Sequence, residues 1–115
     1  MKIIVAGSRE FNNYSFMEEK LDFFLQNQED IVIISGAARG ADKLGEQYAT
    51  NKGYEITICK AQWDKLGKKA GYIRNEEMAK IADAAVIFWD GVSKGTKHMI
   101  DLSKKYDLKL RIIKF

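Results

Sequence analysis

Short apolar runs alternate along the chain with stretches in which apolar residues recur every three or four positions. Lys2–Ala6, Ile31–Ile34, Tyr54–Cys59, Ala84–Phe88 and Leu108–Ile113 are the strand candidates. The first, second and fourth are almost continuously apolar, which predicts strands covered on both faces. Ser15 and Glu18 have capping-box spacing, and Met17, Leu21, Phe24 and Leu25 follow at helical intervals. Ala41, Leu44, Gly45, Tyr48 and Ala49 fall on one face of a second helix, with Gly53 placed to end it. Met78, Ile81 and Ala82 predict a third helix from near Ala70 or Gly71. Met99, Leu102 and Tyr106 predict a fourth from near Gly95.

The resulting order is βαβαβαβαβ. Right-handed crossovers turn it into an α/β architecture: one Rossmann-like, three-layer domain over residues 1–115. Its five-stranded parallel sheet is expected in the order 3-2-1-4-5, with helices on both faces. Trp63–Lys69, weakly patterned, reads as a functional loop.

Composition narrows the class. At 115 residues, 46% hydrophobic and 30% charged, the chain is globular rather than disordered or collagenous. Proline is absent, and no linker, repeat or low-complexity tract interrupts it. No apolar run approaches the ~18–20 residues that cross a bilayer. The run after Lys2 is broken by Gly7 too soon for a signal peptide, and Cys59 is alone, so a cytoplasmic location is expected. The net charge of +3 permits an anionic ligand and places DNA last among partners.

In an open α/β sheet, ligands bind beyond the carboxyl ends of the strands, where strand order reverses. The glycines cluster in the loops leaving that edge: Gly7-Ser8-Arg9 after the first strand, Ser35-Gly36-Ala37 through Arg39-Gly40-Ala41-Asp42 after the second, and Asp90-Gly91 with Ser93-Lys94-Gly95-Thr96 after the fourth. Glycine lets the backbone approach a ligand, and helix N-termini attract phosphate or carboxylate. Ser8, Ser35, Ser93 and Thr96 offer hydroxyls; Arg9, Arg39, Arg74 and Lys94 offer charge. Neither the dinucleotide fingerprint nor the Walker loop is met, which disfavours dinucleotide cofactors and ATP hydrolysis.

His98 has no Cys or second His at ligand spacing, so no metal site is expected; a structural role and proton transfer both remain open for it. Cys59 reads as a small core hydrophobe. Phe88 reads as core, Trp63 and Trp89 as facing the ligand. Asp42 and Asp90 are candidates for a ribose contact or for capping a helix and a turn.

The same loops resemble the YspA/YpsA-related branch of the SLOG superfamily. The resemblance rests on Gly7–Phe11, Ser35–Asp42, Trp63-Asp64 with Gly67, Ala70–Met78, Phe88–Gly91 and Ser93–Ile100. It implies a Rossmann-like domain that binds a nucleotide or nucleotide-derived signal, and a homo-oligomer, dimeric or higher. The superfamily includes the LOG phosphoribohydrolases, which cleave the N-glycosidic bond of nucleoside monophosphates, and DprA-type DNA-binding proteins. The LOG helix motif Arg-Lys-x-Glu-Met is similar to Arg74-Asn75-Glu76-Glu77-Met78, which implies that Arg74 holds a phosphate, with Asn75 in place of the lysine. Gly95-Thr96 matches their glycine-rich motif, but Met99 holds the position of the catalytic glutamate. A thioether is no general acid and cannot stabilise an oxocarbenium ion.

The leading expectation is therefore a small binding protein, a ligand sensor or carrier without cofactor, holding a nucleotide phosphate on the Gly36–Gly40 and Gly91–Thr96 loops. Arg74 and Asn75 would serve it, Gly7-Ser8-Arg9 would close the crevice, and Trp63 would cover a base. A nucleotide hydrolase using Asp90, Glu77 or His98 as a rearranged catalytic group is the alternative. DprA-like DNA binding is third.

Overall fold

All 115 residues are described by the computed structural model. The strands are β1 (Lys2–Gly7), β2 (Val32–Ser35), β3 (Glu55–Ile58), β4 (Ala84–Trp89) and β5 (Lys109–Lys114). The helices are α1 (Tyr14–Leu25), α2 (Ala41–Lys52), the single turn α3 (Trp63–Leu66), α4 (Ala70–Ile81) and α5 (Lys94–Lys105). The sheet is wholly parallel in the order β3-β2-β1-β4-β5, so β1 and β4 flank the point where strand order reverses.

Alternation along β1 divides the core between the two faces. Ile3 and Val5 pack with Met17, Leu21, Tyr48 and Phe88 beneath α1 and α2. Ile4 and Ala6 pack with Met78, Ile87, Met99 and Ile100 beneath α4 and α5. β1 and β4 are buried on both faces, as their unbroken apolar runs require, while the edge strands β3 and β5 are half-exposed. Cys59 is partly buried against the second core, and burial pushes its thiol up.

Gly53 ends α2 at φ 76°, and its N–H bonds back into the last turn. Two local expectations are corrected. The cap of α1 is Asn13, whose Oδ1 accepts from the Phe16 N–H at 3.1 Å; the helix therefore starts at Tyr14, and Ser15 lies inside its first turn. Trp63–Lys69 is not an open loop. It forms α3 followed by a 3₁₀ turn over Gly67–Lys69, and the two feed directly into α4. Gly67 makes the joint possible at φ 62°, a conformation costly for any side chain with a Cβ. No helix is long and apolar enough to cross a membrane.

Candidate functional site

The carboxyl edge of the sheet carries a cleft of about 460 Å³ at the switch point. Its floor is Ala6, Gly7 and Ser8. Its walls come from Arg9, Asp42, Trp63, Arg74 and Asn75 on one side, and from Asp90, Ser93, Gly95, Thr96 and Met99 on the other. A second lobe of about 480 Å³ shares Arg9, Ala38, Trp63 and Arg74 with it, and continues to Gly36, Ala37, Arg39, Lys43, Lys60 and Ala61.

The floor is drawn tight by β1 and β4. The Ser8 N–H donates to the Phe88 carbonyl at 2.9 Å, and the Ser8 hydroxyl accepts from the Asp90 N–H at 3.2 Å. Gly7 is needed at this point: a Cβ there would drive into the Phe88 carbonyl.

The β2–α2 loop folds around its own carboxylates. Ser35, fully buried, donates to Glu46 Oε2 at 2.6 Å and accepts from the Ala37 N–H at 3.1 Å. Asp42, 5% exposed, accepts from the Ala38 N–H at 3.2 Å. Burial dominates Asp42 and pushes its carboxyl up to about 6, although the Ala38 N–H and the Arg74 charge oppose the rise. The start of α2 thus already holds an internal carboxylate where an incoming anion would sit. Ala37 adopts φ 62°, a left-handed conformation that is costly for a residue with a Cβ.

α5 is built the other way. Asp90 Oδ1 accepts from the Val92 and Ser93 N–H groups at 2.9 and 2.8 Å, which shapes the approach to the helix and holds its carboxyl below the usual range. The following N–H groups of Lys94, Gly95 and Thr96 donate to no protein acceptor, and the first turn carries no acidic residue. A Cβ at Gly95 would meet nothing within 4 Å, so this helix start opens into the cleft.

Arg74 joins the two lobes. Its Nη1 donates to the Gly36 carbonyl and its Nε to Asn75 Oδ1, while Nη2 has no partner in the protein. A Cβ at Gly36 would lie 2.8 Å from both Arg74 Nη1 and Asp42 Oδ2, so only glycine lets the guanidinium settle here. Asn75, 6% exposed, passes the connection to α5, with its Nδ2 3.3 Å from the Gly95 carbonyl and 3.2 Å from His98 Nδ1.

Most of the expected residues thus line one lobe or the other. Ser35 and Gly40 lie beneath, shaping the loop rather than facing the cleft. Gly91, Lys94 and His98 open instead onto a shallow neighbouring hollow with Tyr72 and Trp89. Trp89 does not reach the switch-point cleft: its Nε1–H donates to the Ser93 carbonyl at 3.1 Å, and Lys114 covers its ring. Glu77 is exposed and lines none of these hollows. Sequence reasoning missed Lys43, Lys60, Lys68, Gly71 and Tyr72. Lys60 follows the carboxyl end of β3, and the strand-end rule that selected the other loops points to it as well. Gly71 makes room inside α4 for Trp63, whose ring would stand 3.2 Å from a Cβ there.

Residues 1–66 match the model of the YspA, cpYpsA-related SLOG family. The Gene 61 protein of Mycobacterium phage D29 is 32% identical over 111 residues, covering 90% of this chain and 89% of its own length. DNA processing protein A (DprA) from Streptococcus pneumoniae superposes with a TM-score of 0.77 at 18% identity. That match takes in 96% of this chain and 49% of the neighbour. DprA from Helicobacter pylori, whose structure describes its single-stranded DNA binding mode, superposes with a TM-score of 0.74 at 20% identity. Here the match covers 97% of this chain and 64% of the neighbour, so this chain spans about half to two-thirds of the two structures that share its fold.

These neighbours overturn the expectation that placed DNA last among partners. The physical fault lay in the use of net charge. A total of +3 averages over a surface on which Arg9, Arg39, Lys43, Lys60 and Arg74 line one lobe without a single carboxylate.

Proposed function

The chain belongs to the YspA, cpYpsA-related SLOG family, and from that premise we propose that it binds a nucleotide or nucleotide-derived small molecule in the switch-point cleft. The observation that carries this reading is the meeting of two unsatisfied donor sets. The free Nη2 of Arg74 and the unpartnered N–H groups of Gly95 and Thr96 at the start of α5 belong to walls of the same cleft. A phosphate satisfies both, through charge-assisted bonds from the guanidinium and through the positive end of the helix dipole. The α2 loop, filled by Asp42, acts as a support rather than as the phosphate cradle. Trp63, half exposed at the junction of the lobes, offers a face on which a base stacks. The homo-oligomer and the sensor role implied by the family resemblance belong to the same proposal.

The test incubates the purified chain with a panel of nucleoside monophosphates and dinucleotides, read by native mass spectrometry and by chromatography of the products. An intact nucleotide retained at one per chain supports a binding protein, and the same spectrum reads the oligomeric state. Release of free base or phosphate with turnover would replace this reading with a nucleotide hydrolase.

A second reading, single-stranded DNA, is favoured by the carboxylate-free cationic lobe together with the fold shared with DprA. Its signature is a gel shift with oligothymidylate that weakens steeply between two salt concentrations, as phosphate contacts release counterions.

A further inference from the structure

We propose that the second lobe is a subsite for further phosphates, so that the ligand is a nucleoside carrying a chain of phosphates rather than one. This inference rests on the nucleotide reading of the first lobe and adds the class of nucleotide.

The two lobes differ in electrostatic character. The first sets Glu10, Asp42 and Asp90 against Arg9, Lys68 and Arg74, a balance suited to a sugar and a single phosphate. In the second, Arg9, Arg39, Lys43, Lys60 and Arg74 stand together with no carboxylate among the lining residues. Like charges gathered in a concave site repel one another, and a multivalent anion relieves that repulsion.

The cations are also available. Lys60 and Arg9 form no ion pair. Arg39 pairs with Glu10 at 3.1 Å, but the two side chains are 73% and 76% exposed, so water and salt screen the contact and a ligand displaces it readily. Lys43 lies 3.5 Å from Glu46, whose other oxygen is held by Ser35.

Two of the backbone donors in this lobe are already used. The Ala37 and Ala38 N–H groups are given to Ser35 and Asp42, so the five cationic side chains carry most of the attraction for an anion here. Arg74 lines both lobes and holds the place where a first phosphate passes into a second. The two volumes, about 460 and 480 Å³, together stay within the span of small-molecule sites.

The test is isothermal titration calorimetry of the full chain at physiological salt. Adenosine and guanosine mono- and triphosphates and inorganic tripolyphosphate are the probes, against wild type and the double variant Lys43→Gln, Lys60→Gln. Neither lysine is buried, so the variant is expected to keep its fold, checked by its melting temperature. The expected result is triphosphate binding on the order of tenfold tighter than monophosphate, with tripolyphosphate bound on its own. The double variant should bring the triphosphate close to the monophosphate and leave the monophosphate unchanged. Equal affinity for one and three phosphates in wild type, or a preference untouched by the two substitutions, would overturn the subsite. Tripolyphosphate bound through the lysines, with no monophosphate bound, would uphold the subsite and strike down the nucleotide reading of the first lobe. Oligothymidylate that displaces the triphosphate, binds more tightly and depends on the same lysines would assign the lobe to a strand and overturn the small-ligand proposal.

Discussion

Arg74 donates through Nε to the side-chain oxygen of Asn75 at 3.0 Å, and this bond fixes which way the amide of Asn75 points. A guanidinium has only donors, so Asn75 must present Oδ1 to it and turn Nδ2 toward α5. There Nδ2 meets the Gly95 carbonyl, which can only accept, and His98 Nδ1. Two residues adjacent in α4 thereby tie the β2 loop to the start of α5 across the switch point.

Arg74→Ala tests the phosphate site. It removes the group that lines both lobes, and the loss of a charge-assisted contact of about 1.5–3 kcal/mol should weaken nucleoside monophosphate binding roughly 10- to 100-fold. The fold should survive, because the side chain is only partly buried and the Gly36 carbonyl it leaves opens onto a cleft that water can enter. Titration calorimetry beside a thermal melt separates the two effects. Unchanged affinity would remove Arg74 from the site.

The Asn75 orientation makes a prediction about protonation. If Nδ2 donates to His98 Nδ1, that nitrogen must be the bare acceptor, and the proton of neutral His98 sits on Nε2. Burial holds His98 below the usual histidine range, against the nearby charges of Asp101 and Glu76, which favour the imidazolium. A bond from Asn75 made only to the neutral ring acts in the same direction as burial. His98 is the chain's single histidine, so its ring signals in a proton–carbon NMR titration need no assignment. Asn75→Ala should move the midpoint upward, toward that of an exposed histidine. A midpoint that stays where it is would mean that the amide does not set the tautomer.

The legible parts of this molecule were those in which neighbours in sequence are neighbours in space. The unbroken run Ile3-Ile4-Val5 announced a strand covered on both faces, and the alternation of runs and helical spacings led to the sheet order. Gly53 announced the end of α2 because its cap depends on one residue's φ. The cationic lobe was legible only in part: Arg9, Arg39 and Arg74 stand among the candidate charges of the sequence, but Lys43 and Lys60 join them only when four separate stretches meet after folding. The Asn13 cap is hidden for a different reason: the Ser15–Glu18 spacing is equally a capping box and two positions inside a helix. The direction of Trp89 depended on a bond to a carbonyl four residues on, which no pattern of side chains encodes.

Asp42 gives the chain a pH dependence whose sign follows from its burial. Its carboxyl titrates near 6 in the folded chain against 3.8 without the fold, so between those values the folded state holds more protons than the unfolded one. Stability therefore falls as pH rises from about 4 to about 6, by about 3 kcal/mol for this group alone at 1.36 kcal/mol per unit. Asp42→Asn keeps an acceptor for the Ala38 N–H and removes the buried charge. The variant should unfold at higher denaturant than wild type at pH 7, with the difference closing near pH 4. A variant less stable than wild type at pH 7 would show that the attraction to Arg74 outweighs the burial.

Asp90 separates a binding protein from a hydrolase more cleanly than any other residue here. It is the cleft carboxylate nearest the open start of α5 in sequence, and a rearranged catalytic acid would have to be found among such groups. Its geometry speaks for another task. Oδ1 is committed to two N–H groups of the turn into α5, and those bonds hold the carboxyl in its charged form, the wrong form for a general acid. Met99, in the same wall, brings no replacement. Asp90→Asn retains an oxygen for the turn and removes a negative charge from beside the phosphate, so nucleotide affinity should stay equal or rise by a few-fold at low salt. Chromatography of products from the wild type and this variant, set beside the affinities, distinguishes the cases. Turnover in wild type that disappears in the variant, with binding intact, would make Asp90 catalytic and this chain an enzyme.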